Sequence, residues 1–242
     1  MCVVLVATRN PLNIGAAARA MSNFGFRRLR LVNPYEAAFQ GARSAVGALT
    51  ILRHAVVCGS VADAVADCSL VVGTMAAGNR PQPQHLSYPL PAGVLLLGQH
   101  LAAGGPAALL FGSEKRGLSN EELSHCDFLL HIPTEGEQPS MNLGQAVAVL
   151  LYELAREAEA PPASRKHAAN AGELERMGAL LLEVFERSGY LPAHASASSL
   201  REERERVRRL LHRLTLETAD AHALTGMLRQ IPWKLRTHNE DV

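Results

Sequence analysis

Three short segments carry residue types that could do chemistry, and each falls where a strand-like run gives way to a loop or helix. They are Asn13-Ile14-Gly15-Ala16-Ala17-Ala18-Arg19, Phe111-Gly112-Ser113-Glu114-Lys115-Arg116-Gly117-Leu118-Ser119, and Ile132-Pro133 with Ser140-Met141-Asn142-Leu143-Gly144. Open α/β sheets bind ligands just beyond the carboxyl ends of their strands, where backbone N–H and C=O groups are unpaired. Three such segments in this order therefore define a candidate ligand site. In the first, Asn13 is a good helix N-cap and Gly15 permits close backbone approach, so an ordinary capped helix accounts for both. Arg19 is harder to explain that way. It stands in a small, apolar run, and a guanidinium is always charged and rarely buried without an anion, so a negative partner is expected.

The second segment has the Gly-x-x-x-x-Gly spacing of a phosphate loop in Gly112 and Gly117. Leu118 stands where such a loop needs its phosphate-binding lysine, and no metal-binding aspartate follows in a recognisable setting, which argues against a nucleoside triphosphatase. No Gly-x-Gly-x-x-Gly follows the first strand, which argues against a dinucleotide-binding enzyme.

The elements that position these segments form a rhythm. Val3–Ala7, Leu29–Val32, Val56–Val57, Leu70–Gly73, Ala107–Phe111 and Phe128–His131 read as strands. Between and after them Asn13–Phe24, Gly41–Arg53, Val61–Ala66, Leu90–Ala103, Asn120–His125 and Leu143–Glu157 read as helices. Strands alternating with helices predict a mostly parallel sheet covered on both faces. Glu159-Ala160-Pro161-Pro162-Ala163-Ser164 cannot continue a helix and reads as a linker. Beyond it, Leu174, Met177, Leu181, Val184 and Phe185, then Val207, Leu210, Leu211 and Leu214, recur at helical spacing, which predicts a small helical domain. The expected division is residues 1–158, a linker over 159–171, and a helical domain over 172–242.

At 242 residues and 48% hydrophobic, the chain has enough length for a sizeable core. Its apolar runs fall far short of the roughly 20 residues of a membrane-spanning helix, so no membrane partner is expected. Met1-Cys2-Val3-Val4 has no basic region before its apolar run and reads as a first strand, which predicts a cytoplasmic protein. Cys2, Cys58, Cys68 and Cys126 form no Cys-x-x-Cys and read as reduced, mostly buried small side chains. The net charge of +1 says little, but Arg201, Arg204, Arg206, Arg208, Arg209 and Arg213 crowd one predicted helix. Two readings stand for them: a solvated face paired with Glu202, Glu203 and Glu205, or a set of phosphate contacts.

Taken together, the three segments resemble the motifs of the SPOUT (TrmH/SpoU) superfamily of RNA ribose 2′-O-methyltransferases, across nearly the whole chain. Asn13 with Arg19 matches the first motif, Phe111-Gly112-Ser113-Glu114 with Gly117-Leu118-Ser119 the second, and Ser140-Met141-Asn142-Leu143 the third. The similarity is greatest to a tRNA-methylating branch, on Asn13–Gly25, Leu31-Val32-Asn33-Pro34, Val72-Gly73-Thr74 and the tail beginning Gly172-Glu173-Leu174-Glu175-Arg176. The resemblance implies an α/β fold with a mostly parallel sheet, a deep trefoil knot at its C-terminal part, and a small all-helical C-terminal domain. It implies a homodimer that uses S-adenosyl-L-methionine and no metal. Thr74, Met75, Ala76, Gly112, Ile132, Ser140, Met141 and Leu143 would line the cofactor pocket. Arg19 would be the central catalytic residue, with Asn13, Glu114, Ser140 and Asn142 positioning it, the ribose and the cofactor. Arg9, Arg80, Lys115, Arg116, Arg208 and Arg209 are the candidate RNA contacts. The implied substrate is tRNA, at cytidine or uridine 32 of the anticodon loop. Ribosomal RNA, or a catalytically silent RNA-binding role, are the alternatives.

Overall fold

The computed structural model describes residues 1–35, 47–76, 85–135, 140–157, 168–191 and 196–239. Strands β1 (Cys2–Val6), β2 (Arg28–Val32), β3 (Val56–Cys58), β4 (Leu70–Ala76), β5 (Ser87–Pro89), β6 (Ala107–Phe111) and β7 (Phe128–Ile132) form one sheet. Its order is β3-β2-β1-β6-β4-β7-β5, and every pairing is parallel. Alternation along β1 explains the layering: Val3 and Leu5 enter the core on one face, and Cys2, Val4 and Val6 the core on the other. Helices α1 (Pro11–Asn23), α2 (Leu49–Arg53), α4 (Leu90–Ala102) and α6 (Leu143–Glu157) cover the first face, and α3 (Val61–Val65) packs on the second. A short α5 (Asn120–Leu123) leads into β7.

Two elements depart from the sequence reading. Strand β5 was not expected, because Ser87-Tyr88-Pro89 is too short and too proline-bounded to give a strand signal; it survives as an edge beside β7. The helix predicted over Gly41–Arg53 is helical over Leu49–Arg53, and its first six residues lie outside the described set.

The tail consists of α7 (Ala171–Arg187), α8 (Ala197–Leu214) and α9 (Thr218–Asn239), packed around Leu174, Met177, Val207, Leu211 and Ala221. It is joined to the sheet by specific bonds. Ala171 N–H donates to Cys68 O at 2.6 Å, and Gly172 N–H to Ala66 O at 2.9 Å. Of the linker predicted over 159–171, residues 159–167 lie outside the described set. Residues 168–171 are built into the fold, and Asn170 caps α7 in a reciprocal pair with Glu173.

The turn Leu123–Asp127, which feeds β7, is held from several sides. Arg208 donates to Ser124 Oγ at 2.8 Å, His212 Nδ1 lies 3.0 Å from Asp127 Oδ1, and His85 Nε2 lies 2.9 Å from Leu123 O. Asp127 in turn accepts from Val71 N–H at 2.6 Å, so the same carboxylate steadies the start of β4. His125 is buried here, 3.4 Å from a Glu175 carboxylate that Arg208 already occupies. Burial, with the Arg208 and His212 charges behind it, holds the His125 imidazole down to about 3. An unfolded histidine titrates near 6.5. Between those values the unfolded chain takes up a proton that the folded chain refuses. Stability is therefore full above about pH 6.5 and falls as the pH drops. His85, lowered by burial, adds in the same direction. The melting temperature is expected to decline from pH 7 to pH 4, with a shallower slope in His125→Gln. Equal slopes in the two proteins would show that His125 is not a source of the acid sensitivity.

Candidate functional site

The strand order reverses direction at β1, which has β2 on one side and β6 on the other. Such a reversal opens a crevice at the carboxyl ends of the strands. The first segment leaves β1 and the second leaves β6, so both enter that crevice. Helix α1 begins earlier than predicted. Asn10 accepts from Leu12 N–H at 2.9 Å and Pro11 fills the first turn, so Asn10 is the cap and Asn13 lies inside the helix, buried. The reason is stereochemical, since proline suits the first helical turn and the residue before it favours an extended backbone.

Freed from capping, the Asn13 amide is used on both sides. Its Nδ2 donates to Glu114 Oε1 at 2.8 Å, and its Oδ1 accepts from Asn142 Nδ2 at 3.0 Å. Asn142 Oδ1 then accepts from the N–H groups of Gly144 at 2.9 Å and Gln145 at 3.3 Å, capping α6. One buried amide thus connects all three segments. An aspartate at position 13 could not serve, because it would turn a second carboxylate toward Glu114. Burial pushes the Glu114 carboxyl up, but hydrogen bonds from Asn13 and from the N–H groups of Glu114, Arg9 and Asn10 outweigh it, and the group sits below its ordinary value.

Glycines permit the close approaches. A Cβ on Gly144 would stand 2.6 Å from the Ala16 Cβ, so glycine lets the first turn of α6 rest on α1. A Cβ on Gly112 would come 2.1 Å from the Gly117 carbonyl carbon. The loop between them folds back on itself: Gly117 has φ 66 and its N–H donates to Ser113 O at 2.8 Å. The Gly-x-x-x-x-Gly spacing therefore serves a tight reversal, after which Ser119 and Glu122 form a reciprocal cap on α5.

Of the expected cofactor residues, Thr74, Met75 and Ala76 end β4, Ile132 ends β7 beside Ala76, and Gly112 follows β6. Strands β6, β4 and β7 are neighbours, so these residues come together at one edge of the crevice. Thr74 Oγ1 donates to Leu110 O at 2.9 Å, whereas Met75, Ala76, Ile132 and Met141 remain half-buried beside a fully packed core. Leu143 is buried and Ser140 exposed at the start of α6. Half-buried apolar side chains over open strand ends fit a flat heteroaromatic ring read by backbone groups, such as the adenine of S-adenosylmethionine.

Arg19 stands apart from this network. Six residues separate it from Asn13, and at 3.6 residues per turn that places the two on different sides of α1. Arg19 is exposed, and among the described residues it has no hydrogen bond or ion pair, so the anionic partner expected from sequence is not found there. Arg9, Lys115 and Arg116 are exposed around the same crevice, and Arg80 lies outside the described residues. Arg208 and Arg209 prove poorly placed for phosphate. Arg208 is committed to Glu175 and Ser124, and Arg209 to Glu205, with side-chain exposures of 11% and 15%. Arg201, Arg204, Arg206 and Arg213 of the same helix are exposed.

Two features beside the site have no counterpart in the sequence pattern. Ala7 has φ 51, a left-handed conformation unusual for a residue with a side chain, and next to it the buried Thr8 hydroxyl has no hydrogen-bond partner among the described residues. No residue type at these positions announces either feature.

Comparison with known proteins agrees with this geometry. Residues 1–152 match the model of the SpoU rRNA methylase family. The tRNA (cytidine/uridine-2′-O-)-methyltransferase TrmJ of Sodalis glossinidius (strain morsitans) is 36% identical over 237 residues, covering 95% of this chain and 90% of that protein. The tRNA (cytidine/uridine/adenosine-2′-O-)-methyltransferase TrmJ of Pseudomonas aeruginosa (strain UCBPP-PA14) is 46% identical over 153 residues, covering 63% of this chain and 59% of that protein. The crystal structure of TrmJ from Z. mobilis ZM4 superposes with a TM-score of 0.79 at 28% identity, covering 95% of this chain and 98% of that one. With more than half its length matched and the three motifs assembled at one crevice, the chain belongs to the SpoU rRNA methylase family.

Proposed function

We propose that this chain transfers a methyl group from S-adenosylmethionine to a ribose 2′-hydroxyl of tRNA, at cytidine or uridine 32 of the anticodon loop. The observation that carries the reading is the bonded line Glu114–Asn13–Asn142, which ties the cofactor strands to the helix bearing Arg19. Likeness to TrmJ proteins that runs through the tail as well as the sheet favours tRNA over ribosomal RNA. A silent RNA-binding factor would have no chemical reason to keep Arg19, Glu114, Ser140 and Asn142 together. The finer features of the fold belong to the same reading. Residues 1–158 are the methyltransferase domain, with the segments after β6 and β7 forming a deep trefoil knot, and residues 172–242 are the RNA-binding accessory domain in a cytoplasmic enzyme.

When bound, the cofactor supplies a methyl group made electrophilic by its sulfonium, so the attack on it has no need of a metal. Thr74, Met75, Ala76, Gly112, Ile132, Met141 and Leu143 hold it, and Ser140 orients its reactive end. A ribose hydroxyl is a poor nucleophile until its developing charge is stabilised. Arg19 does this as a hydrogen-bond donor and not as a base, holding the adjacent phosphate and the nascent alkoxide. Leu12, Ala16, Arg19 and Asn23 share one exposed face of α1, with Leu12 78% exposed. An apolar, arginine-bearing face supports a homodimer in which Arg19 reaches the crevice of the other subunit. Arg9, Lys115 and Arg116 then meet RNA around that crevice.

Calorimetry tests the cofactor assignment: the protein is expected to bind S-adenosylmethionine and to show no appreciable affinity for ATP. The opposite preference would overturn the reading. Arg19→Ala is expected to lower methyl transfer by at least about a hundredfold with cofactor affinity nearly intact, the pattern of a lost transition-state contact. Leu143→Arg, which forces a charge into the buried start of α6, should abolish cofactor binding itself. Equal transfer rates in Arg19→Ala and wild type would remove the catalytic role. In the tail, combined Arg204→Ala, Arg206→Ala and Arg213→Ala should weaken tRNA binding and flatten its salt dependence. Unchanged affinity and slope would leave the tail a packing element.

A further inference from the structure

At the amino end of the sheet, far along the strands from the crevice, Cys2 and Cys68 meet. Cys2 opens β1 and Cys68 lies in the turn before β4; their Sγ atoms stand 3.8 Å apart, and each residue is 3% exposed. The surroundings of the two thiols differ. Cys68 Sγ lies 3.5 Å from Asp67 Oδ1, an acceptor that keeps it protonated. Asp67 is itself clamped by Arg30 through two bonds at 2.6 and 2.7 Å, and Arg30 brings its positive charge close to Cys2. The remaining cysteines offer no such pairing: Cys58 is half-buried, Cys126 is buried, and both are free.

We propose that Cys2 and Cys68 are a redox-convertible dithiol, closed to a disulfide by hydrogen peroxide. The Cys2 sulfur attacks one peroxide oxygen, forming an S–O bond and breaking the O–O bond; the leaving hydroxide takes up a proton as water. The Cys68 sulfur then attacks the Cys2 sulfur, forming the S–S bond and expelling the second oxygen as water with the Cys68 proton. Two thiols lose two electrons and two protons, and the peroxide is reduced to two waters. The order of attack follows from the surroundings. The contact with Cys68, joined by the Arg30 charge, pulls the Cys2 thiol below its ordinary value against the effect of burial, while the contact with Cys2 and burial push Cys68 up. Closing the gap from 3.8 Å to a bond of about 2.05 Å asks for a small movement of the turn. That turn also receives the tail, through Ala171 N–H on Cys68 O. Oxidation therefore acts on the joint between sheet and tail as well as on β1.

Peptide mapping of the full chain after treatment with hydrogen peroxide decides the matter. The expected product is a Cys2–Cys68 cross-link with a mass loss of two hydrogens, formed slowly because both thiols are buried. The melting temperature should rise by several degrees, since the bond closes a long loop in the unfolded chain. The cross-link and the shift should both vanish in Cys2→Ser and persist in Cys58→Ser. Oxidation of Cys2 or Cys68 to sulfinic acid without a cross-link, or two thiols that survive peroxide until the protein is denatured, would overturn the proposal. The mapping of the wild-type chain gives its answer even if a variant fails to fold.

Discussion

A single side-chain amide, that of Asn13, has to donate to a carboxylate on one side and accept from an amide on the other. Each partner belongs to a different loop, and each loop leaves a different strand. A buried polar group that loses a partner costs about 1–3 kcal/mol, and here the loss would fall on two loops at once. The surrounding choices follow from this demand. Asn10 and Pro11 start α1 early enough to bring Asn13 inside the helix, Gly144 lets α6 rest against Ala16, and Gly112 lets the second loop turn back so that Glu114 faces Asn13.

The same arrangement separates binding from chemistry. The amide line, the glycines and the strand ends are held by the interior of one chain. The Arg19 guanidinium projects from a different side of the same helix into solvent. A residue so placed is open to whatever docks against α1. Holding a charge out of the core avoids the large penalty of burying an unpaired guanidinium. The helix that carries it is tied to the other two segments by Asn13.

Much of this was legible in the sequence because the signals were local. Parallel strands buried on both faces read as continuous apolar runs, and β1, β6 and β7 were found where Val, Leu and Phe cluster. The three motifs were visible as residue types at strand ends. What was not legible depends on atoms brought together from afar. The role of Asn13 is set by Asn142, 129 residues away, and the left-handed Ala7 is fixed by packing that no alanine announces. The arginine cluster shows the limit most clearly. Composition offered paired or phosphate-binding arginines, and tertiary contacts divide them: Arg208 pairs with Glu175 of α7 and Arg209 with Glu205 of its own helix, while Arg201, Arg204 and Arg213 are exposed.

That division changes what the tail is. A module tethered by a proline-rich linker could be removed without harm to the domain it serves. Here, removing it would strip Asp127 of His212, Ser124 of Arg208, and the turns at Ala66 and Cys68 of their backbone donors. Asp127 also holds the first residues of β4, whose far end carries Thr74, Met75 and Ala76. A strand transmits a displacement along its length because its neighbours are close-packed and hydrogen-bonded on both sides. The tail is thus part of the frame on which the cofactor strands rest, and its outward arginines present charge from a base fixed to that frame. Point substitutions of the exposed arginines of α8 leave this support of the sheet in place, and deletion of the tail does not.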